Sequence, residues 1–595
     1  MRTDSAPRQP TRALGLRPGI VIVTLLWSTW IGLPLLAPAA APIAMVGALL
    51  GGLGILVWWA FFSGAAPIER WGAPLLMLAI SLATVPLLDV SISSSMMGLM
   101  FPVYTAPVLS LVFVAWAVAT RRMADRPRRV ALVAAIVLAS GFWTTLRTDG
   151  MTGDGRQELA WRWTETAESR LLATTAGERL APPPGATMAT TVDERLAPPP
   201  KAKMAANDAR DADWPGFRGR HRDGVVRGIR IATDWDTSPP EALWRRPVGP
   251  GVGSFSVRGR QVFTQEQRGE QEVVSSYLLA TGEPVWRHAD PVRFWDSHAG
   301  AGPRGTPTVA GDRLYTLGGT GLLTALDART GRRLWGRDMA AEHDVFSSGW
   351  GFAGSPLVVD DVVIVAAIGT LAAYDAETGA PRWSAPGTGD SYSSPHPVTL
   401  DGVPQVLLLT SDGVTSVAPA DGTVLWTHDW ATGSRIVQPA LTAAGDILVG
   451  ADGFAGLQRV SATRTAGKHA GWTTEVRWTT RSLKPYFNDF VAHAGHAYGF
   501  DGSILASVDL ETGERAWKGG RYGHGQLLLL ADQDLLLVLG ERGDLALVDA
   551  TPAGFNERAR VPAIEGKTWN HPVLVDDILL VRNTEEMAAF RLTRQ

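Results

Sequence analysis

No cysteine occurs among the 595 residues. That absence excludes disulfide staples, thiol catalysis and cysteine-based metal sites. Strong net charge is missing as well: the chain sums to −3 at neutral pH. Beyond residue 150 there are 44 basic and 53 acidic residues, a mildly acidic balance that argues against a nucleic-acid partner. The first 150 residues have no lysine, eleven arginines and five acids, a balance of +6. Several chemical signatures are absent too. The glycine-rich strings "GVGSFS" and "GGTG" lead into no helix, so neither reads as a phosphate cradle. "GFAGS", ending at Ser355, lacks the Gly-x-Ser-x-Gly pattern of a hydrolase elbow. No Asp-rich calcium loop is found. "HAGH", His493 to His496, has metal-like spacing but spans a predicted hairpin turn that points the rings apart, so no metal site is expected.

What is present divides the chain. Five apolar stretches, roughly 18–37, 42–63, 72–90, 97–119 and 129–146, each approach the ~20 residues a helix needs to cross a bilayer. The first resembles a signal peptide, but four more follow at once, so a polytopic domain over 1–150 is expected. Arg2, Arg8, Arg12 and Arg17 precede the first span, Arg70 lies between the second and third, and "TRRMADRPRR" lies between the fourth and fifth. The other two loops have no Lys or Arg. The positive-inside rule then puts the N-terminus inside and everything after the fifth span outside, which in a Gram-negative cell is the periplasm. Asp89, at a span end, is the one ionisable residue expected near a membrane core; an interfacial role is the first reading and a quinone or proton site the second.

Residues 151–211 read as a juxtamembrane segment and linker. "GDGRQELAWRWTETAESRLLA" is expected to form a short helical segment at the membrane surface, where Trp161 and Trp163 suit the interface. "ERLAPPP" follows twice, at Glu178–Pro184 and Glu194–Pro200, in an Ala/Thr/Pro-rich stretch that behaves as a semi-extended tether.

From residue 212 the chain repeats. "TALDARTGRRLW", "AAYDAETGAPRW" and "ASVDLETGERAW" end at Trp335, Trp383 and Trp517, and worn copies end at Trp286 and Trp426. In each, an alternating apolar strand runs into Ala-x-Asp, x-x-Thr-Gly makes a tight turn, and the next strand carries the Trp. Two further strand-like runs complete each unit. Four short strands every 40 to 50 residues define the blade of a β-propeller. Counting Trp244, Trp286, Trp335, Trp383, Trp426, Trp478 and Trp517, then a Trp-less unit through "GDLALVDATPAGFNERARV", gives eight blades over 212–595. The last blade lacks its outer strand, and the strand of Trp244 is expected to supply it. The fold class is therefore an all-β eight-bladed propeller after a helical membrane domain of about five spans.

The string Ala-x-Asp-x-x-Thr-Gly-x-x-x-Trp resembles the tryptophan-docking motif of the pyrroloquinoline quinone (PQQ) repeat propellers. Together with "DWPGFRG" and "GKTWNHPVL", the chain resembles membrane-anchored PQQ-like proteins of environmental bacteria. The superfamily includes the quinoprotein dehydrogenases and the propeller of the outer-membrane β-barrel assembly machinery. The resemblance implies that Trp286, Trp335, Trp383, Trp426 and Trp517 stack between blades.

Innermost strands begin at the mouth of the central channel, where propellers bind ligands. Charged, amide or aromatic residues there nominate Arg304, Trp350, His396, Lys484, Asn488, Asp489, His524, Trp569, Asn570 and His571 as a ligand-binding rim. Two functions follow from the resemblance. The first is an inner-membrane platform with a periplasmic propeller, binding a protein or a small polar ligand. The alternative is a dehydrogenase with PQQ and calcium passing electrons to the quinone pool. Its plan resembles the membrane-bound glucose dehydrogenases, which would make Asp489 the base, Asn488 a calcium ligand, and Lys484 or Arg304 a cofactor contact.

Overall fold

The computed structural model describes residues 15–36, 40–175 and 214–595, except 346–348, 388, 432, 434, 452–454 and 466–470. The two "ERLAPPP" copies lie outside the described residues. The chain divides into two compact units, one of residues up to Thr164 with Ser297–Ala299, the other of Glu165–Asp296 and Gly300–Gln595.

In the first unit five helices, Arg17–Leu36, Ile43–Phe62, Pro67–Leu87, Met100–Ala119 and Asp125–Thr145, are long and apolar enough to cross a membrane. Their centre is aromatic: Trp58 and Trp59 are fully buried, and Trp59 packs edge-on to Phe113 at 4.8 Å. The Trp59 indole N–H donates to the Glu69 carbonyl at 3.0 Å. Glu69, not Asp89, is the deeply buried acid: it is 5% exposed and pairs with Arg128 at 3.2 Å and Arg129 at 3.5 Å. Asp89 caps its own turn by accepting from Ser91 and faces Arg162 at 3.4 Å. The expected surface helix is corrected at its start. Gln157–Trp161 is a strand, antiparallel to Leu146–Met151. Gly150, inside the first strand where its register shifts, and Gly155, in the turn, take φ 107° and 79°, a conformation that glycine reaches without a Cβ clash.

Helix appears only at Ala167–Thr175, in the second unit. There Glu168 clamps Arg293 with contacts of 2.9 and 3.0 Å and accepts the Gly269 N–H at 2.7 Å.

The rest of the second unit is the propeller, with eight antiparallel blades. Blades 1 to 7 have their innermost strands at Ser256–Arg258, Thr308–Ala310, Leu357–Val359, His396–Leu400, Ala440–Leu441, Val491–His493 and Gln526–Leu530. Blade 8 runs Val573–Val575, Ile578–Arg582, Glu586–Arg591, and its outer strand is Glu241–Pro247, from the start of the propeller. That strand closes the ring as the sequence implies. Each outer strand bulges one residue before the Trp position, a shift seen on all eight blades. In blade 7 that position is held by Ala559.

The repeat motif has a double purpose. Asp327 Oδ1 accepts the N–H and hydroxyl of Thr330 at 2.8 and 2.7 Å, which locks the turn. Gly331 follows at φ 72°, and a Cβ there would lie 2.4 Å from the Trp286 ring of the preceding blade. The turn is thus both a chain reversal and a seat for the neighbouring indole. Trp286, Trp335, Trp383 and Trp517 each donate the indole N–H to a carbonyl of the next blade, those of Ala328, Ala376, Pro419 and Thr551. Trp426 packs between blades 4 and 5 but donates to Gln405 Oε1 of its own blade at 2.8 Å.

Candidate functional site at the channel mouth

Just ahead of each innermost strand, one residue links its blade to the next. The Ser254 N–H donates to Thr306, Thr306 to Ser355 and Ser355 to Ser394, at 2.8, 2.9 and 2.9 Å. Gln438 Nε2 reaches the Ser394 carbonyl, and the Gln438 N–H donates to Asp489 Oδ1 at 3.1 Å. The Asp489 N–H donates to Gln526, whose amide donates to the Trp569 carbonyl. The Ser254 hydroxyl closes the circle on the His571 carbonyl at 2.6 Å. This belt passes through all eight blades.

Residues 214–226 lie against the belt and the innermost strands. Trp214 bridges to Val257 of blade 1, and the Pro215 carbonyl takes the Val309 N–H of blade 2. Arg222 donates to the carbonyls of Ser355, Pro356 and Pro395 in blades 3 and 4. Arg218 holds Asp489 Oδ1 at 3.2 Å and the Phe490 carbonyl at 2.7 Å in blade 6. Val225–Val226 adds a parallel strand to Leu529–Leu530 of blade 7, and the Phe217 ring meets His571 of blade 8 at 4.8 Å. One short segment thus touches seven blades. Arg218 and Arg222 are buried at φ 58° and 54°, unusual for residues with side chains, and their guanidinium bonds hold that conformation. Burial pulls the Arg222 guanidinium down to about 9.

Asp489 is therefore a structural hub. It is 3% exposed and accepts from Arg218, Gln438 and His571, the last at 2.9 Å. Burial alone would raise its pKa, but Arg218 and His571 hold the carboxylate below its ordinary range. Burial lowers the pKa of His571 despite Asp489. His396 faces the inserted arginines, and burial, then Arg218 and Arg222, pull its imidazole down to about 3. Its ring lines a cleft of about 450 Å³ beside the inserted segment, bounded by blades 3 to 6.

The remaining candidates separate. Lys484 turns to Asp501 at 2.6 Å, where Lys518 and Arg515 also converge. Arg304 is tied to Asp296 and the Gly300 carbonyl and lies over the Phe294 ring. Asn570 donates to the carbonyls of Gly251 and Gly253. Asn488 accepts from the Tyr486 N–H, while its amide nitrogen is buried without a hydrogen bond.

Trp350, His524 and Trp569 do converge, within a cluster of rings that the rim reading missed. Tyr392, Trp350, Tyr486, Phe487 and Trp569 form a chain of contacts at 4.8, 6.0, 5.1 and 4.5 Å, and His524 meets Phe487 at 5.8 Å. They arise from the connections leading into blades 3, 4, 6, 7 and 8. Trp350, Tyr392, Tyr486 and Phe487 are half-buried. Glu541 supports the cluster from below by accepting the Trp569 indole N–H at 2.9 Å and the His524 N–H at 3.1 Å. The signal in the sequence was an aromatic just ahead of an innermost strand, in "SYSSP" and "PYFND".

Tested against an anionic quinone with calcium, these residues do not fit. The proposed base is occupied by three donors, the two cofactor cations are each paired with an aspartate, and the inserted segment lies along the channel strands. Among the described residues no cluster of three His, Asp or Glu could hold a metal ion.

The docked tryptophans, the belt and the ring closure define a propeller of the PQQ-like, tryptophan-docking class. The chain belongs to the PQQ_2 family, described as "Outer membrane protein assembly factor BamB", whose pattern matches residues 270–519 and 410–593. It is 26% identical over 368 residues to BamB of Shewanella oneidensis, covering 58% of this chain and 86% of that one. It is 26% identical over 310 residues to BamB of Yersinia pestis, covering 47% and 74%. Among solved structures it is similar to BamB from Moraxella catarrhalis at 15% identity and TM-score 0.40, covering 59% and 100%. It is also similar to quinohemoprotein alcohol dehydrogenase from Comamonas testosteroni at 14% identity and TM-score 0.48, covering 65% and 81%.

Proposed function

We propose that this protein is an inner-membrane platform whose propeller faces the periplasm and binds a partner protein at the aromatic channel mouth. The observation that carries this reading is the contrast within the site. Half-buried rings are presented by several inter-blade connections, while the charged candidates around them are consumed by internal partners. Such a surface supplies contact area with little conformational entropy to lose. Membership in a family described as an assembly factor supports binding over turnover. The arginine distribution around the five apolar helices supports the orientation.

The test uses the full chain in its native membrane. A photo-crosslinking residue at Trp350 or Tyr486 should give a discrete adduct, and one at Arg329, on an exposed turn, should give none. Equal labelling from all three positions, or none from the mouth, overturns the binding site. A PQQ titration with calcium, followed by tryptophan quenching, should show no saturable binding in the micromolar range. Saturable binding abolished by Asp489→Asn would restore the dehydrogenase.

A further inference from the structure

The outer strands of seven blades are five to seven residues long, and six of these carry proline or at least two basic residues. Short length, proline and positive charge are how sheet edges are protected from pairing with other chains. Blade 5 departs from this. Its last two strands, Gly456–Thr465 and Gly471–Thr480, are ten residues each. The outer one reads "GWTTEVRWTT", without proline and rich in β-formers. Its only two charges, Glu475 and Arg477, pair with each other at 2.9 Å. Among the described residues no strand pairs with its outer edge, and the blade 4 outer strand meets it on one face through His428 and Thr474 at 3.3 Å. Within the propeller, the exposed large apolar side chains among the described residues are Val424, on the neighbouring outer strand of blade 4, and Val476.

We propose that this edge joins two copies of the chain, with Gly471–Thr480 of each running antiparallel about a twofold axis at Val476. The sequence is self-complementary in that register. At its centre Val476 faces its own mate, Glu475 faces Arg477 and Arg477 faces Glu475; beyond the bulge Trp478 turns toward blade 6 while Thr474 turns toward blade 4, so the match is confined to these three residues. Apolar and opposite-charge pairs are favourable across a strand pair. A twofold interface requires this reciprocity, since each patch must meet a copy of itself.

The absence of cysteine makes the test clean. In full-length protein in detergent, Val476→Cys should cross-link to a dimer under mild oxidation. Glu475→Cys should not, because its mate is Arg477, but a mixture of Glu475→Cys and Arg477→Cys chains should. Glu475→Arg should weaken dimerisation at least tenfold, because two arginines then face each other, and adding Arg477→Glu should restore it. Both positions are exposed, so an unchanged melting temperature separates lost pairing from lost folding. A wild-type chain monomeric at tens of micromolar overturns the proposal. So does a dimer indifferent to Glu475→Arg, or a double exchange that fails to rescue.

Discussion

Blades 3 and 5 share one four-stranded plan and end it differently. In blade 3 the hairpin stops at Asp375, which accepts from Thr378 N–H and hydroxyl at 2.8 Å each, and Gly379 at φ 72° lies beneath the Trp335 ring. Blade 5 has no Asp-x-x-Thr-Gly, and nothing halts the hairpin after six residues. Trp426, which should dock on that missing turn, sends its N–H to Gln405 of its own blade. Val460, Ala462 and Trp472 of the lengthened hairpin cover the indole instead. In blade 5, where the motif is lost, the lengthened apolar hairpin takes over the closure between blades and leaves a long edge.

This comparison can be broken at graded cost. Gly379→Val should be the most damaging, by about 2–5 kcal/mol, since it combines a left-handed backbone with a Cβ 2.6 Å from the Trp335 ring. A shift in urea midpoint at constant slope would measure it. Blade 4, between the two, should carry the strongest pH signal. His396 is held neutral to about pH 3 when folded, whereas the unfolded imidazole takes a proton near 6.5. The unfolded state then binds more protons, so stability is full above about pH 6.5 and falls as pH drops toward 3. His396→Gln should flatten the melting temperature across that window. Gln405→Leu should cost about 1–3 kcal/mol, because Trp426 and Ser416 both lose a buried acceptor. Asp375→Asn should cost about 1 kcal/mol at neutral pH. Burial raises the pKa of Asp375, but Thr378 and Arg382 hold it low, so this contribution is present above the unfolded carboxylate value and disappears as pH falls through the folded one. Val476→Thr should change the stability of a single chain by no more than about 0.5 kcal/mol.

The ring of blades was legible because one turn must satisfy backbone sterics and the neighbour's indole together, which leaves few residues to choose from. The closing strand was legible from Trp244 for the same reason. The belt was not, because serine, threonine, glutamine and aspartate can each accept the same backbone N–H, and no residue type marks the position. Asp489 looked like a base because its charge was visible and Arg218, 271 residues earlier, was not. "DWPGFRG" was visible only as a landmark. It has no period, and its arginines gain meaning only from carbonyls on other blades. The strand at Gln157–Trp161 was hidden because five residues of alternation sit inside a longer helical pattern, and the two glycines, at the register shift and in the turn, decide the outcome.

The position of residues 214–247 in the chain has a consequence for how the molecule is made. This stretch leaves the ribosome before any blade exists, yet its partners are distributed to the far end of the sequence. Ile231 pairs with Gln533, 302 residues later, and Glu241–Pro247 waits for Glu586–Arg591. Residues 214–222 can dock on the first four blades as these form, but Glu241–Pro247 has no partner until the eighth blade arrives. Closing a loop of that length before any contact rewards it is slow. The finished ring is correspondingly hard to open from either terminus, since releasing the first strand also means breaking the last.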